Sequence, residues 1–300
     1  MRTHRSRPWR CTNLAHAATM LAGMDPQLSG NRERPSQTDA GRLGRADLKM
    51  SPTVRRLRRF WRTIPSPPRC KMCTSPFGPP AGPLLRLIGK GRWAGNSDYC
   101  AGCFKELYRK RVGAEIECTL FFADIRGSTQ LAETMSSTDF RGLLDRFYRT
   151  AAEVLIEHEA IVDKFVGDEV VAIFIPALAG ENHAGQAIDA GLALLRATGH
   201  ETDAPWAPIG IGVNTGEAFV GVVGTADHVE FTALGDNVNV TARLASAAAG
   251  GEILVTDSAA RVAGLVSDSP DRAERRRLDL RGKAEATDVI VLSLASEARI

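Results

Sequence analysis

Residues 163–174 read DKFVGDEVVAIF. Two apolar runs, Ala160–Val166 and Glu169–Ile175, flank Gly167-Asp168, and a two-residue insert of this kind between β-favouring segments predicts a tight hairpin. Upstream, Thr119–Ala123 (TLFFA) is a short buried-strand pattern that ends at Asp124, and Gly127-Ser128-Thr129 opens a helical stretch. Between that strand and the hairpin, apolar residues at 140, 143, 144, 147, 151, 154 and 155 predict an amphipathic helix over Asp139–His158. Downstream come a helix over Asn182–Thr198, a strand pair over Ile209–Val223 turning around Asn214-Thr215-Gly216, a helix over Asn237–Ala248, and late strands at Glu252–Thr256 and Val289–Leu294. Strands and helices alternate, yet several strands follow one another through hairpins. This favours an α/β (α+β) sandwich on a mixed, mostly antiparallel sheet over a doubly wound parallel one.

The chain has 300 residues, 44% apolar and 24% charged, enough for one large or two modest domains. Its longest nearly unbroken apolar run, Val170–Gly180, contains Pro176 and falls short of the ~20 residues of a spanning helix, so no transmembrane segment is expected and the reading places the chain in the cytoplasm. The net charge of +3 hides a division: residues 1–114 hold 23 Lys and Arg against 6 Asp and Glu, the remainder 15 against 29. Met1–Pro68 shows no sustained period and reads as a basic, mostly disordered tail. One exception is Val54–Thr63 (VRRLRRFWRT), where Val54, Leu57 and Trp61 share a helical face opposite several arginines. A solvated tail, or weak contact with anionic lipid or nucleic acid, both fit this composition.

Cys70 and Cys73 (CKMC) and Cys100 and Cys103 (CAGC) form two knuckles with 26 residues between them. Such pairs give one tetrahedral zinc four thiolates, and residues 69–114 are read as a zinc-binding module; an iron–sulfur centre, a redox dithiol and disulfides stay open. Cys118 lies in an apolar strand and reads as a small core residue.

The acidic half, residues 115–296, carries the candidate chemistry. Asp124 at a strand end and Asp168 in a hairpin turn can face one sheet edge, the hard-oxygen pair that holds Mg²⁺ or Mn²⁺ against substrate phosphates. Singly, Asp124 also fits a helix cap and Asp168 a turn former. Gly127, Ser128 and Thr129 offer backbone amides at a helix start, an anion seat beside the metals, and together these point to a nucleoside triphosphate. Asn239 and Arg243 stand at i and i+4 on one helix face, an amide and a guanidinium suited to a ribose and a phosphate, or simply a solvated face.

LFFADIRGST (120–129), DKFVGDEVVAIF (163–174) and FTALGDNVNVTARL (231–244), in this order, resemble the three signature blocks of the class III nucleotidyl cyclase catalytic domain. The resemblance runs from about Glu117 to Ala295. It implies a ferredoxin-like βαββαβ core with extra strands and a head-to-tail homodimer with active sites at the interface. Residue by residue, it makes Asp124 and Asp168 the ligands of two Mg²⁺ or Mn²⁺ ions, with the Ile125 carbonyl a further ligand. Lys164 resembles the adenine-selecting lysine, and Thr232 stands where many members carry Asp as the second base-reading residue. Asn239 matches the ribose-orienting residue and Arg243 the one that stabilises charge on the α-phosphate. In LRGKAEATDV, Arg281 aligns with a phosphate-contacting lysine, with Lys283 the other candidate.

The function so implied is adenylate cyclase activity in intracellular signal transduction, making cyclic AMP and pyrophosphate from ATP. A guanylate cyclase is disfavoured by Lys164, since guanylyl cyclases generally carry an acidic residue there. A silent cyclase-like dimerisation platform on a zinc-containing nucleic-acid- or lipid-binding protein is the alternative from another class. The charged stretch Arg272–Arg277 (RAERRR) reads as a solvated segment before a strand.

Overall fold

The computed structural model describes residues 52–64, 66–93, 99–103, 113–224, 229–265, 274–280 and 286–297. Its strands are β1 (Gly113–Ile125), β2 (Ile161–Val166), β3 (Glu169–Phe174), β4 (Ile209–Gly224), β5 (Val229–Leu234), β6 (Ile253–Thr256), β7 (Glu274–Leu278) and β8 (Thr287–Leu292). The helices are α1 (Pro52–Arg62), α2 (Ala81–Leu87), α3 (Ser128–Thr134), α4 (Ser137–Glu157), α5 (Pro176–Ala179), α6 (His183–Ala197), α7 (Asp236–Ala247), α8 (Asp257–Val262) and α9 (Leu294–Glu297). The expected tail lies, over residues 1–51, outside the described residues.

The spine is an antiparallel ladder between β1 and β4, from Gly113 opposite Gly221 to Ile125 opposite Ile209. β3 and then β2 continue the sheet beyond β1, and β6, β8 and β7 continue it beyond β4, with β5 folded back onto β4. The β4–β6 pairing is parallel and the others are antiparallel, which is the mixed sheet the sequence predicts. Strand alternation divides the core. Phe121, Ala123 and Ile125 face one side with Ile209, Ile211 and Val213, under α4 and α6. Leu120, Phe122, Val171, Ile173 and Val220 face the other, under the cysteine module. α7 lies on this second side too, with Val238 and Ala242 against the same cluster.

Local chemistry explains the helices. α4 starts at Ser136, whose hydroxyl oxygen accepts from the Asp139 amide while its hydroxyl donates to the Asp139 carboxylate, and it buries Phe147, Ala151 and Leu155 at four-residue spacing. α6 starts at Asn182, which accepts from the Gly185 amide. α7 lies directly on β4 because two glycines leave the strand bare: a Cβ on Gly212 would meet the Ala245 nitrogen at 2.5 Å and the Thr241 oxygen at 2.6 Å, and one on Gly210 the Ala248 oxygen at 2.6 Å.

Three expectations are corrected. Ile209–Val223 is not a strand pair, because β4 runs unbroken through Asn214-Thr215-Gly216. Asn214 donates to Asn237, and the Thr215 hydroxyl pairs with that of Thr119 at 2.7 Å, so these turn-favouring side chains are satisfied across the fold instead. Within RAERRR, Glu274–Arg277 belong to β7, an edge strand whose arginines pair with Asp257, Glu252 and Asp288. In α1 the fully buried residue is Arg58, while Leu57 and Trp61 are half-buried.

Arg58 donates to the carbonyls of Met72 (2.7 Å) and Ala160 (2.9 Å) and ion-pairs with Glu159 at 3.5 Å. Glu159 holds a left-handed backbone (φ 66°) uncommon for a side chain of its kind and also gathers Arg59 and Arg62. Arg58 and Arg62 are therefore engaged within the fold, while Arg59 reaches Glu159 from the surface. Among the described residues no helix is long and apolar enough to cross a membrane.

Candidate active site

The acid pair forms at one end of β1. Asp124 lies opposite Glu169 in the β1–β3 ladder, and the Ile125 amide donates to the Asp168 carbonyl at 3.2 Å, which locks the hairpin turn over the strand end. Tyr148 of α4 braces the hairpin from outside, stacked on Phe165 at 4.4 Å with its hydroxyl donating to the Gly167 carbonyl. The two carboxyls are close enough to shift one another's titration. Burial, reinforced by Asp168, pushes Asp124 up to about 7 against the opposing Arg126 guanidinium that ion-pairs with it. Burial also lifts Asp168, but the Ser128 hydroxyl and Asp124 outweigh it and hold Asp168 below the usual carboxylate range. Glu169 is pushed up to about 7, first by burial and then by the facing Asp124 and Asp168. Three half-buried carboxyls crowd this strand end, with one guanidinium paired to Asp124, and Asp124 and Asp168 each shift the titration of the other and of Glu169. That excess of oxygen donors fits a divalent hard ion.

Of the expected anion seat, Gly127 takes a left-handed conformation (φ 70°) as the cap of α3, Ser128 is half-buried and lowers the Asp168 pKa, and Thr129 is exposed.

A cavity of about 270 Å³ opens beside β2 and β5. A register shift between Val162 and Lys164 makes Asp163 a bulged residue, so Asp163 and Lys164 both line this cavity, with Phe165, Glu230 and Phe231. Thr232 adjoins them and is buried, and its hydroxyl donates to the Asp163 carboxylate at 2.6 Å. Lys164 stands 3.5 Å from the Glu230 carboxylate and 3.9 Å from that of Asp163. Burial raises the Asp163 pKa, while Thr232 and Lys164 pull against it. The volume lies under the ~300–1,000 Å³ of a whole drug-sized ligand and suits a planar base.

Asn239 and Arg243 share one face of α7, Asn239 exposed and Arg243 half-buried, and neither side chain makes a hydrogen bond or ion pair among the described residues. Arg281 and Lys283 lie outside the described residues. The structure thus brings Asp124, Asp168 and Ser128 together at one place and Lys164 and Thr232 at another. Sequence reasoning missed Asp163, Glu230, Glu169 and Arg126. Asp163 alone carried a signal, its place beside Lys164.

The four predicted cysteines converge. Their sulfurs all lie within 4.8 Å of one another, with Cys73 and Cys100 at 3.7 Å, and Cys70, Cys73, Cys100 and Cys103 are unpaired by disulfides. A tetrahedron with Zn–S bonds of ~2.3 Å has edges of about 3.8 Å. Backbone amides of Cys100 and Cys103 donate to the Cys70 and Cys100 sulfurs. Hydrogen bonds from Cys103, Cys70 and Cys73 hold Cys100 far below the ordinary thiol value, and the cluster, Cys73 first and then Cys100, Cys103 and Cys70, draws Lys90 upward against its own burial. Cys118 is buried, and burial pushes its thiol up to about 12, as suits an inert core residue.

A ferredoxin-like sheet with an acid pair at the β1 end and a lysine-lined cavity beside β2 is the architecture of a nucleotidyl cyclase domain. Residues 112–293 match the family described as Adenylate and Guanylate cyclase catalytic domain, and the chain belongs to it. Among solved structures it is similar to the adenylyl cyclase CyaB from P. aeruginosa (26% identity, TM-score 0.53, covering 61% of this chain and 96% of that one). It is also similar to the guanylyl cyclase Cya2 (26% identity, TM-score 0.52, 60% and 92%). Among curated proteins, an uncharacterised Mycobacterium tuberculosis protein is 34% identical over 137 residues, 45% of this chain and 24% of that protein. The adenylate cyclase of Anabaena cylindrica is 27% identical over 184 residues, 57% of this chain and 36% of that one. The chain spans about a quarter of the first relative's length and about a third of the second's. Family membership makes the acidic half a cyclase catalytic domain.

Proposed function

We propose that the protein is an adenylate cyclase that converts ATP to 3′,5′-cyclic AMP and pyrophosphate in a homodimer, in intracellular signal transduction. The observation that carries this is a small cavity lined by Lys164 and by Asp163, whose carboxylate accepts from the buried Thr232 hydroxyl just behind the wall. The adenine edge offers an acceptor, N1, beside a donor, the 6-amino group. Lys164 donates to the first, and the Thr232–Asp163 oxygens accept from the second.

Asp124 and Asp168, with the Ile125 carbonyl, hold Mg²⁺ or Mn²⁺, which when bound lowers the pKa of the 3′-hydroxyl and neutralises the triphosphate. Asn239 orients the ribose and Arg243 supplies positive charge to the α-phosphate where the transition state gathers negative charge. By the family resemblance, the acids and Arg243 of one site come from two copies of the chain. A second reading, GTP, is favoured by one observation: Asp163 and Glu230 put two carboxylates on the same cavity, and these accept from the guanine N1–H and 2-amino group. Turnover of Mn-ATP against Mn-GTP decides between them. A preference for ATP of tenfold or more in kcat/KM is expected, and equal or reversed rates reject the adenylate reading.

We also propose zinc as the ion of the cysteine cluster. Sulfurs that converge on one point suit a single ion better than a multi-iron cluster, whose thiolates bind separate irons. Metal analysis of Cys70→Ser should show a loss of about one zinc per chain; an unchanged zinc content rejects the assignment.

A further inference from the structure

The cysteine module and the base cavity share a wall. Besides the strand residues, the cavity is lined by Lys71, inside the Cys70–Cys73 knuckle, and by Tyr99, next to Cys100. Each is adjacent in sequence to a cluster cysteine. Lys71 donates through its ammonium to the backbone carbonyl of Asp163, the bulged residue whose carboxylate receives the Thr232 hydroxyl. Tyr99 is buried in the same apolar cluster as Cys70, Cys73 and Cys100. A second tie runs alongside: Arg58 donates to the carbonyls of Lys71 (3.2 Å) and Met72 (2.7 Å) in the knuckle and to that of Ala160 (2.9 Å), just ahead of β2. One guanidinium and one ammonium therefore bind the knuckle to the strand that carries Asp163 and Lys164.

We propose that the four-cysteine module is part of the nucleotide site, with Lys71 as a positioning residue for the base and the ion-bound cluster as the element that fixes the cavity's shape. This rests on the reading of the cavity as the base site. Two cations, Lys71 and Lys164, then face two carboxylates, Asp163 and Glu230, across a small space, and the base is read against a nearly neutral wall. An ion held by both knuckles makes the Cys70–Cys73 turn rigid. Its loss frees the turn and removes the Lys71 buttress from the β2 bulge. The effect falls on nucleotide binding, because the acid pair has its own ties through Ile125, Ser128 and Arg126.

The test uses the full-length chain and 3′-deoxy-ATP with Mn²⁺, a nucleotide that lacks the attacking hydroxyl. Lys71→Met keeps the aliphatic stem and removes the charge. Its Kd for 3′-deoxy-ATP and its KM for Mn-ATP should each rise about five- to tenfold, the loss of one charge-assisted contact, with kcat within about twofold and zinc content unchanged. Stripping the ion from the folded parent with a chelator should raise the same Kd to the same extent, and adding Zn²⁺ back should restore it. A Kd that stays constant through the strip-and-restore cycle, or a Lys71→Met variant with parental Kd and KM, overturns the proposal. Lys164→Ala separates the two ideas. If it raises KM while Lys71→Met does not, the base site stands and the module's part in it falls; if neither changes KM, the base-site reading falls first.

Discussion

The two ends of the β2–β3 hairpin are built in opposite ways. At the acid end, Asp124, Arg126, Gly127 and Ser128 sit within five consecutive residues, and one ladder brings in Asp168. At the base end every principal tie spans the chain: Thr232 to Asp163 over 69 residues, Lys71 to Asp163 over 92, Arg58 to Ala160 over 102. A constellation held by neighbours in sequence survives changes elsewhere in the molecule, whereas one assembled from distant segments depends on the packing of all of them. Chemistry should therefore be separable from stability at the first end and inseparable from it at the second.

The largest expected effect tests the acid end. Asp124→Ala and Asp168→Ala should each lower turnover by about 10³-fold or more, since each removes a charge that the metals require in the transition state. Asp124→Ala should unfold at a urea midpoint close to the parent's, because it relieves the crowding that raises Asp124 and Glu169, whereas Asp168→Ala, which loses a carboxyl held below its ordinary range, should unfold slightly earlier while staying folded in the assay. Retained turnover in either variant would remove the metal assignment. Mixing Asp124→Ala with Arg243→Ala, each inactive alone, should recover partial activity if sites are shared between copies. A mixture as silent as its parts would argue for sites complete in one chain.

Arg58→Ala is the counterpart at the other end, and here the effect should appear in stability. The side chain is fully buried, and its removal leaves the Met72 and Ala160 carbonyls without their donor and Glu159 without its deepest partner. A loss of about 3 kcal/mol is expected from urea unfolding, because removing one member of a buried pair strands the other. Arg58→Lys should lose less than Arg58→Ala but still measurably, since one ammonium cannot span three backbone carbonyls and a carboxylate in the guanidinium's fork geometry. An Arg58→Ala protein of parental stability would mean that α1 contributes nothing to the hold on the knuckle.

The same contrast governs what the sequence disclosed. The hairpin at Gly167-Asp168, the α4 and α6 periods, the acid pair and the four cysteines were legible because each is a local pattern with a local cause. Asn214-Thr215-Gly216 misled because turn propensity is also local, whereas the forces that keep β4 straight there are Thr119, Asn237 and the bare glycine face under α7. RAERRR reads as solvated on charge alone; its backbone nonetheless pairs with β8, and acids from other elements neutralise it. Nothing in the α1 pattern announces the burial of Arg58, since arginine seldom lies fully buried, and only the carbonyls of two remote segments make it tolerable. Asp163 was hidden by a one-residue bulge, which no periodicity announces.

The smallest effect concerns the midpoint between the ends. Thr119 sits in the middle of β1, and its hydroxyl contacts both Thr215 (2.7 Å) and the buried His183 ring (2.8 Å). Burial lowers the His183 pKa below its ordinary value, against the nearby Glu117 and Glu181, so the folded state keeps the imidazole neutral where the unfolded chain takes up a proton. As the pH falls through about 6.5, the unfolded state therefore binds more protons, and stability drops until the folded-state value is passed, by at most ~1.4 kcal/mol per pH unit. His183→Gln has no such proton to refuse. Its stability deficit against the parent should shrink between pH 7.0 and pH 5.5, measured by urea midpoints; a gap that stays constant would show that the ring does not titrate on unfolding. Because this polar bolt belongs to the spine common to both ends, the folded fraction of His183→Gln should keep the parental KM and kcat at pH 7.0, and a change in KM alone would mean that the base end senses the spine as well as the module.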